Sequence, residues 1–321
     1  VVKSNSSYGN PSAGALATTA FLNVDKPKGM TSHDVVNRVR KLTGIKQVGH
    51  AGTLDPMATG VMIIALGKAC RLLRFLADDK SYKATITLGL VTDTDDIEGK
   101  VLQENISATT NPPAQEIVVA ALSQFVGDIE QIPPYYSAIH VEGKRLYEMA
   151  RAGIAPPEIK ARPVTIKSID LLSYTPPDLT IRVHCSKGTY IRSIARDLGE
   201  KLGLGGTLSA LVRESSGCFV IERASSLEDL ISGGGELLNE RLVTIEDAIH
   251  LPTLIVSDAC AKRLVMGQKI GEADFKLASL NDEYMLVINA SNQRSFCIGR
   301  LGGSELDGQK YLAPEVVFAD V

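Results

Sequence analysis

Apolar residues occur along this chain in short groups whose spacing changes character several times. Residues 21–24 form a brief apolar run that stops at Asp25-Lys26-Pro27-Lys28-Gly29, where Pro and Gly predict a loop. Val35, Val36, Val39 and Leu42 then recur at helical spacing, with Thr31 or Ser32 as the cap and Gly44 as the stop. Residues 49–56 have no hydrophobic period and read as a loop, and residues 60–66 as a short buried strand or helix core. Tyr82, Ala84, Ile86 and Leu88 alternate, predicting a half-buried strand over residues 81–90. Helices are predicted over residues 114–125, with Ile117, Val118, Ala121, Leu122 and Phe125 inward, and over 144–151 after a hairpin-like turn at 141–143. Residues 164–174 and 179–185 read as paired strands around Pro176-Pro177. Residues 190–202 read as a helix with Ile191, Ile194, Ala195, Leu198 and Leu202 inward. Gly233-Gly234-Gly235 reads as a linker, and short strands at 285–288, 295–298 and 315–318 predict a small β-rich end. Strands and helices mix without βαβ alternation, so the pattern predicts an α+β fold.

Length and composition narrow this picture. At 321 residues the chain is long enough for about two domains and needs no staples. Five scattered cysteines without a C-x-x-C pair argue against a disulfide framework or a zinc ribbon. The longest apolar run, residues 61–66, is far short of the ~20 residues of a membrane helix. The net charge of −3 argues against a nucleic-acid partner only as an average. Residues 21–75 carry +6, 76–130 carry −7, 131–220 carry +4 and 221–321 carry −7. Two basic blocks lie under two acidic ones, and they either build a positive face or interleave and cancel. Residues 1–20 are rich in Ser, Ala, Asn and Gly, lack acidic residues and do not begin with Met. They read as a disordered or processed leader.

Most familiar chemical motifs fail on spacing. Residues 93–99 resemble a calcium loop, but Ile97 and Glu98 stand where the fifth ligand and the glycine belong, so a solvated acidic loop is expected. The glycines at 203, 205 and 206 follow a helix and match no nucleotide-binding spacing, and the five His have no metal-ligand spacing. No cofactor is called for. What remains is Gly49-His50-Ala51-Gly52-Thr53-Leu54-Asp55-Pro56, where glycines such as Gly52 permit close approach of a ligand and Pro56 stiffens the chain after a carboxylate. The same residues also fit Asp55 as the cap of a turn after Pro56.

With its flanks, the stretch FLNVDKPKGMTSHDVVNRVRKLTGIKQVGHAGTLDPMATGV resembles the start of the TruB-type tRNA pseudouridine synthases. The blocks DKSYKATITLGLVTDTDDIEGKV, PPYYSAIHVEGKRLYEMARAGI, HCSKGTYIRSIARDLGEKLG and GTLSALVRESSGCF follow in order, so the resemblance spans about residues 21–219 and weakens beyond. It implies a mixed, largely antiparallel catalytic domain at 21–250 and a small PUA-like RNA-binding domain at 251–321. The implied reaction is isomerisation of the T-loop uridine at tRNA position 55 by base flipping, without a cofactor.

The resemblance also implies roles for single residues. Asp55 is the catalytic carboxylate, acting as nucleophile at the sugar or the base or as general base. Arg192 is its ion-pair partner, and Tyr82 stacks on the flipped base. Tyr190 and Leu211 line the uracil pocket, His50 supports the flipped-out RNA, and Lys26 and Gly52 lie beside the site. The partner implied is the T stem-loop of tRNA, bound by a monomer in the cytoplasm, or in an organelle if residues 1–20 are a transit-peptide remnant. Two residues depart from the family's Leu-Arg-Arg-Thr, Val212 replacing a positive charge and Glu214 a hydroxyl, and His140 stands where many relatives have Lys. Two other readings share some features. A non-catalytic tRNA-binding protein would need only the basic face, and a carboxylate hydrolase would need a second acid where Arg192 stands.

Overall fold

A computed structural model describes residues 19–137, 139–141, 143–154, 158–275, 283–303 and 310–321. The leader expected at 1–20 thus lies almost wholly outside the described residues.

The frame is an eleven-stranded sheet. Its main path runs Ser225–Ser226, Ala20–Lys26, Thr59–Leu66, Gly206–Ser216, Lys80–Leu88, Asp178–Cys185, Arg162–Thr175 and Gly127–Gln131. Only the pairings of Ser225–Ser226 with Ala20–Lys26 and of Gly206–Ser216 with Thr59–Leu66 are parallel, so the sheet is mixed and largely antiparallel. Thr59–Leu66 is covered on both faces, which is why its sequence reads as a continuous apolar run rather than an alternating one. Lys80–Leu88 alternates as expected, and its buried side carries Tyr82, Ala84, Ile86 and Leu88.

Helix Ile191–Lys201 lays Ile191, Ile194, Ala195 and Leu198 on that side, and Leu54, Met57 and Leu211 join the same core. Helix Ser32–Thr43 packs Val35, Val36 and Val39 against Leu22, Val24, Met62 and Ile64. Thr31 caps it in a capping box with Asp34, and Gly44 ends it at φ 70°. A third core joins Phe21, Val61, Ile63 and Ala65 to Leu286, Ile298 and Val316 of a five-stranded C-terminal sheet and to Phe318 just after its last strand. Those strands include Tyr284–Asn289, Ser295–Gly303 and Lys310–Val317, matching the β-rich end expected from the sequence.

Four local expectations are corrected. His50 lies in a strand, Val48–Ala51, where it pairs with Ile64, so the sheet supplies an order that no hydrophobic period signals. Helix Gln115–Ser123 buries Val118, Ala121 and Leu122, with Phe125 buried just beyond it, but leaves Ile117 exposed, a stripe narrower than expected. The helix expected at 144–151 starts at Leu146, because Lys144–Arg145 pairs back on His140–Val141. Gly233-Gly234-Gly235 is no linker but the kink within Leu227–Glu240, with Gly234 at φ 62° and Leu230 and Leu238 anchoring the two sides.

Candidate active site

Asp55 lies in the loop between strands Val48–Ala51 and Thr59–Leu66, at the start of the turn that leads into the second, and its neighbours are tied down from the opposite segment. The Ser32 hydroxyl accepts from Leu54 N at 2.9 Å and donates to Leu54 O at 3.1 Å. Gly29 N donates to Pro56 O at 2.8 Å, and Ala58 N to Asp55 O at 3.1 Å. Lys26 is fully buried at a strand end and donates to the carbonyls of Pro27 (2.9 Å), Met30 (2.6 Å) and Pro56 (3.3 Å). Burial pulls its ammonium down to about 8, against the opposing charge of Asp55. Lys26 is therefore a latch between two loops rather than a surface lysine.

Arg192 sits in the first turn of its helix, 5% exposed, and meets Asp55 as a two-pronged fork. Nε lies 2.9 Å from Oδ2, and Nη2 lies 3.1 Å from Oδ1. The remaining donors reach Thr94 O (Nη1) and Tyr136 O (Nη2), each at 3.0 Å, and Asp96 Oδ2 stands 3.7 Å away. Every edge of the guanidinium is thus occupied, which fixes its plane and the carboxylate it holds. Burial pushes the Asp55 carboxyl above its ordinary value, the Arg192 charge pulls it back, and Asp96 pushes it up again.

The loop at 93–99 is only partly the solvated feature expected: Asp93, Ile97 and Glu98 are exposed, but Asp95 and Asp96 turn inward. Asp96 is buried, its Oδ1 accepting from Thr94 Oγ1 at 2.7 Å and Glu98 N at 3.1 Å, and Asp95 pairs with Arg196 at 3.0 Å. The two arginines on one helix face outweigh hydration as partners, so the acidic loop folds onto the site.

Tyr82 is buried beside these groups. Burial raises its phenol, and Arg213 opposes that shift. Tyr190 caps the Arg192 helix, and its backbone is clamped by the buried Gln131 amide, which accepts from Tyr190 N at 2.8 Å and donates to Tyr190 O at 3.1 Å. Leu211 is buried opposite Ala84. Lys26, Tyr82 and Tyr190 lie within electrostatic reach of Asp55. His50 and Gly52 stand to one side, around Arg213. The Gly52 carbonyl accepts from Arg213 Nη2 at 3.3 Å. His50 is held down by burial and by the Arg213 charge, and its Nδ1 has no hydrogen-bond partner.

Sequence reasoning missed Ser32, Asp96, Arg196, Gln131 and Arg213. Ser32 was readable only as a cap, and Asp96 was visible only as part of an acidic run. Gln131 left no signal. Glu214, one of the departures in charge, pairs with Arg182 at 2.8 Å and so is neutralised on the sheet. Among the described residues, no group of three or more His, Cys, Asp or Glu is placed to hold a metal ion.

A carboxylate clamped by a guanidinium, with two tyrosines around it, suits chemistry on a planar base. Comparison with known proteins agrees. The sequence model of the TruB family pseudouridylate synthase N-terminal domain matches residues 40–191. The tRNA pseudouridine synthase B of Gloeobacter violaceus is 46% identical over 254 residues, 78% of this chain and 86% of that protein. That of Synechocystis sp. is 46% identical over 255 residues, 78% of this chain and 84% of that protein. Among solved structures, a chain of a Cbf5-Nop10-Gar1 complex superposes with a TM-score of 0.71 at 25% identity, covering 99% of this chain and 92% of that one. The extent and level of this similarity identify the chain as a member of the TruB family of pseudouridylate synthases.

Proposed function

We propose that this enzyme, a tRNA pseudouridine synthase, acts on the uridine at position 55 in the T loop, with Asp55 as its catalytic carboxylate. The observation that carries the reading is the Asp55–Arg192 fork at 2.9 and 3.1 Å beside the buried Tyr82. The reaction breaks the N1–C1′ bond of the uridine, turns the uracil, joins C5 to C1′ and releases the C5 proton, while N1 gains one. No atom or electron is gained or lost overall. The fork favours the ionised, acceptor-ready form of the carboxylate and aims it. Tyr82 offers a stacking face for the extruded base, worth roughly 1–3 kcal/mol, and Tyr190 and Leu211 line the rest of the pocket. Lys26, Gly52 and His50 serve the loop and its RNA-facing edge.

In this reading, residues 21–250 form the catalytic part and 251–321 a PUA-like RNA-binding part, and the protein works as a monomer on the tRNA T arm. All five cysteines are free, which suits a reducing compartment, the cytoplasm or an organelle interior. No helix among the described residues is long and apolar enough to cross a membrane. The test is to map pseudouridine in an unmodified tRNA transcript after incubation with the protein. Modification at position 55 and its loss on a U55C transcript are expected. Modification elsewhere, with position 55 untouched, would overturn the specificity.

A further inference from the structure

Arg213 is the largest fully buried side chain among the described residues, and it forms no ion pair there. Its Nε donates to Val61 O at 2.6 Å and its Nη2 to Gly52 O at 3.3 Å, while Nη1 is buried with no hydrogen-bond partner. Leaving one donor of a buried cation unpaired is costly. The sheet register points to what that donor is for. Arg213 stands directly opposite Gly60 on one neighbouring strand and directly opposite Tyr82 on the other. Residues paired in this way raise their side chains on the same face, roughly 5 Å apart at Cβ. Gly60 has no side chain to offer, and a Cβ there would come within 2.4 Å of the Arg213 carbonyl oxygen. Tyr82 is thus the register neighbour that the guanidinium can meet.

We propose that Arg213 is a positioning residue for the isomerisation, donating from Nη1 to the Tyr82 hydroxyl when the uridine is bound and so turning the Tyr82 proton toward the uracil. A guanidinium only donates, so the tyrosine oxygen accepts and its own O–H is left for the base. The second bond of the same group, to Gly52, ties the loop that carries Asp55 to the same reference point. Arg213 also opposes the upward push of burial on the phenol, as a neighbouring cation must. The inference rests on the reading of Tyr82 as part of the active site.

A double-mutant cycle on the full chain tests it, using a T-arm stem-loop RNA with 5-tritiated uridine and single-turnover tritium release. Arg213→Met is expected to slow release roughly 10²-fold, with RNA affinity unchanged, in the range seen when one positioned donor is removed. In a Tyr82→Phe background the same change is expected to cost about twofold or less, because the hydroxyl it serves is already gone. Equal slowing in both backgrounds would overturn the proposal and leave Arg213 a packing residue. If Arg213→Met does not fold, Arg213→Lys enters the same cycle. A single ammonium cannot reach Val61, Gly52 and Tyr82 together, so the same dependence on Tyr82 is expected and additivity again refutes it. A Tyr82→Phe enzyme with the unmutated rate would refute the role of the hydroxyl and with it that of Arg213. A Tyr82→Ala enzyme with the unmutated rate would refute the reading of Tyr82 as the stacking face. A slow Tyr82→Phe enzyme with an additive cycle would refute the role of Arg213 alone.

Discussion

Asp55 is held between opposing influences, and their balance predicts how the enzyme responds to pH. Burial and Asp96 favour the neutral carboxyl, while Arg192 favours the carboxylate. Without the Arg192 cation nothing as strong holds the carboxylate in its charged form, so ionisation must occur at higher pH. In Arg192→Gln the acid limb of the kcat profile is therefore expected to move upward, alongside a roughly 10²-fold or greater loss of kcat. An unmoved limb would mean that Asp55 does not titrate in the rate-determining step. At this scale the loop at residues 49–56 singled out Asp55 by its own residues, while Arg192 was found through the family resemblance of its GTYIRS block. The sequence was silent where the partner is a backbone atom, as for Lys26 and Gln131. It misled at Asp95 and Asp96, because a run of acids looks solvated until the arginines that face it are known.

Among the elements, one close backbone approach lies where strand Gly206–Ser216 passes strand Thr59–Leu66. Gly60 has φ +100° there, and a Cβ would meet Arg213 O at 2.4 Å and Arg213 N at 2.8 Å. No flexible side-chain tip can yield, since both atoms are backbone. Gly60→Ala is expected to cost about 2–4 kcal/mol in urea unfolding and to slow turnover by displacing Arg213. An unchanged midpoint would show that the strands separate freely. Elements with a strong period, such as Ser32–Thr43, Lys80–Leu88 and Ile191–Lys201, were legible because one face of each is apolar. Strand Val48–Ala51 and the kinked helix Leu227–Glu240 were not, because tertiary pairing decides the first and buried leucines on both sides of a glycine bend decide the second.

Across the whole molecule, the C-terminal sheet is packed onto the back of the main one. Leu286, Ile298, Val316 and Phe318 share a core with Phe21, Val61 and Ile63, and Arg74 pairs with Glu315 across the junction. Phe318→Ala is therefore expected to destabilise the full chain by about 3 kcal/mol in a single cooperative transition. Separate melting of the C-terminal part would contradict that shared core. The net charge of −3 also acquires a spatial meaning, since part of the acidic block at 76–130 folds onto Arg192 and Arg196 instead of facing solvent. The central claim remains that Asp55 carries the chemistry. It is tested most directly by tritium release from T-arm RNA with Asp55→Asn, measured beside RNA affinity. Release is expected to vanish while binding persists. Turnover at the unmutated rate would contradict the claim.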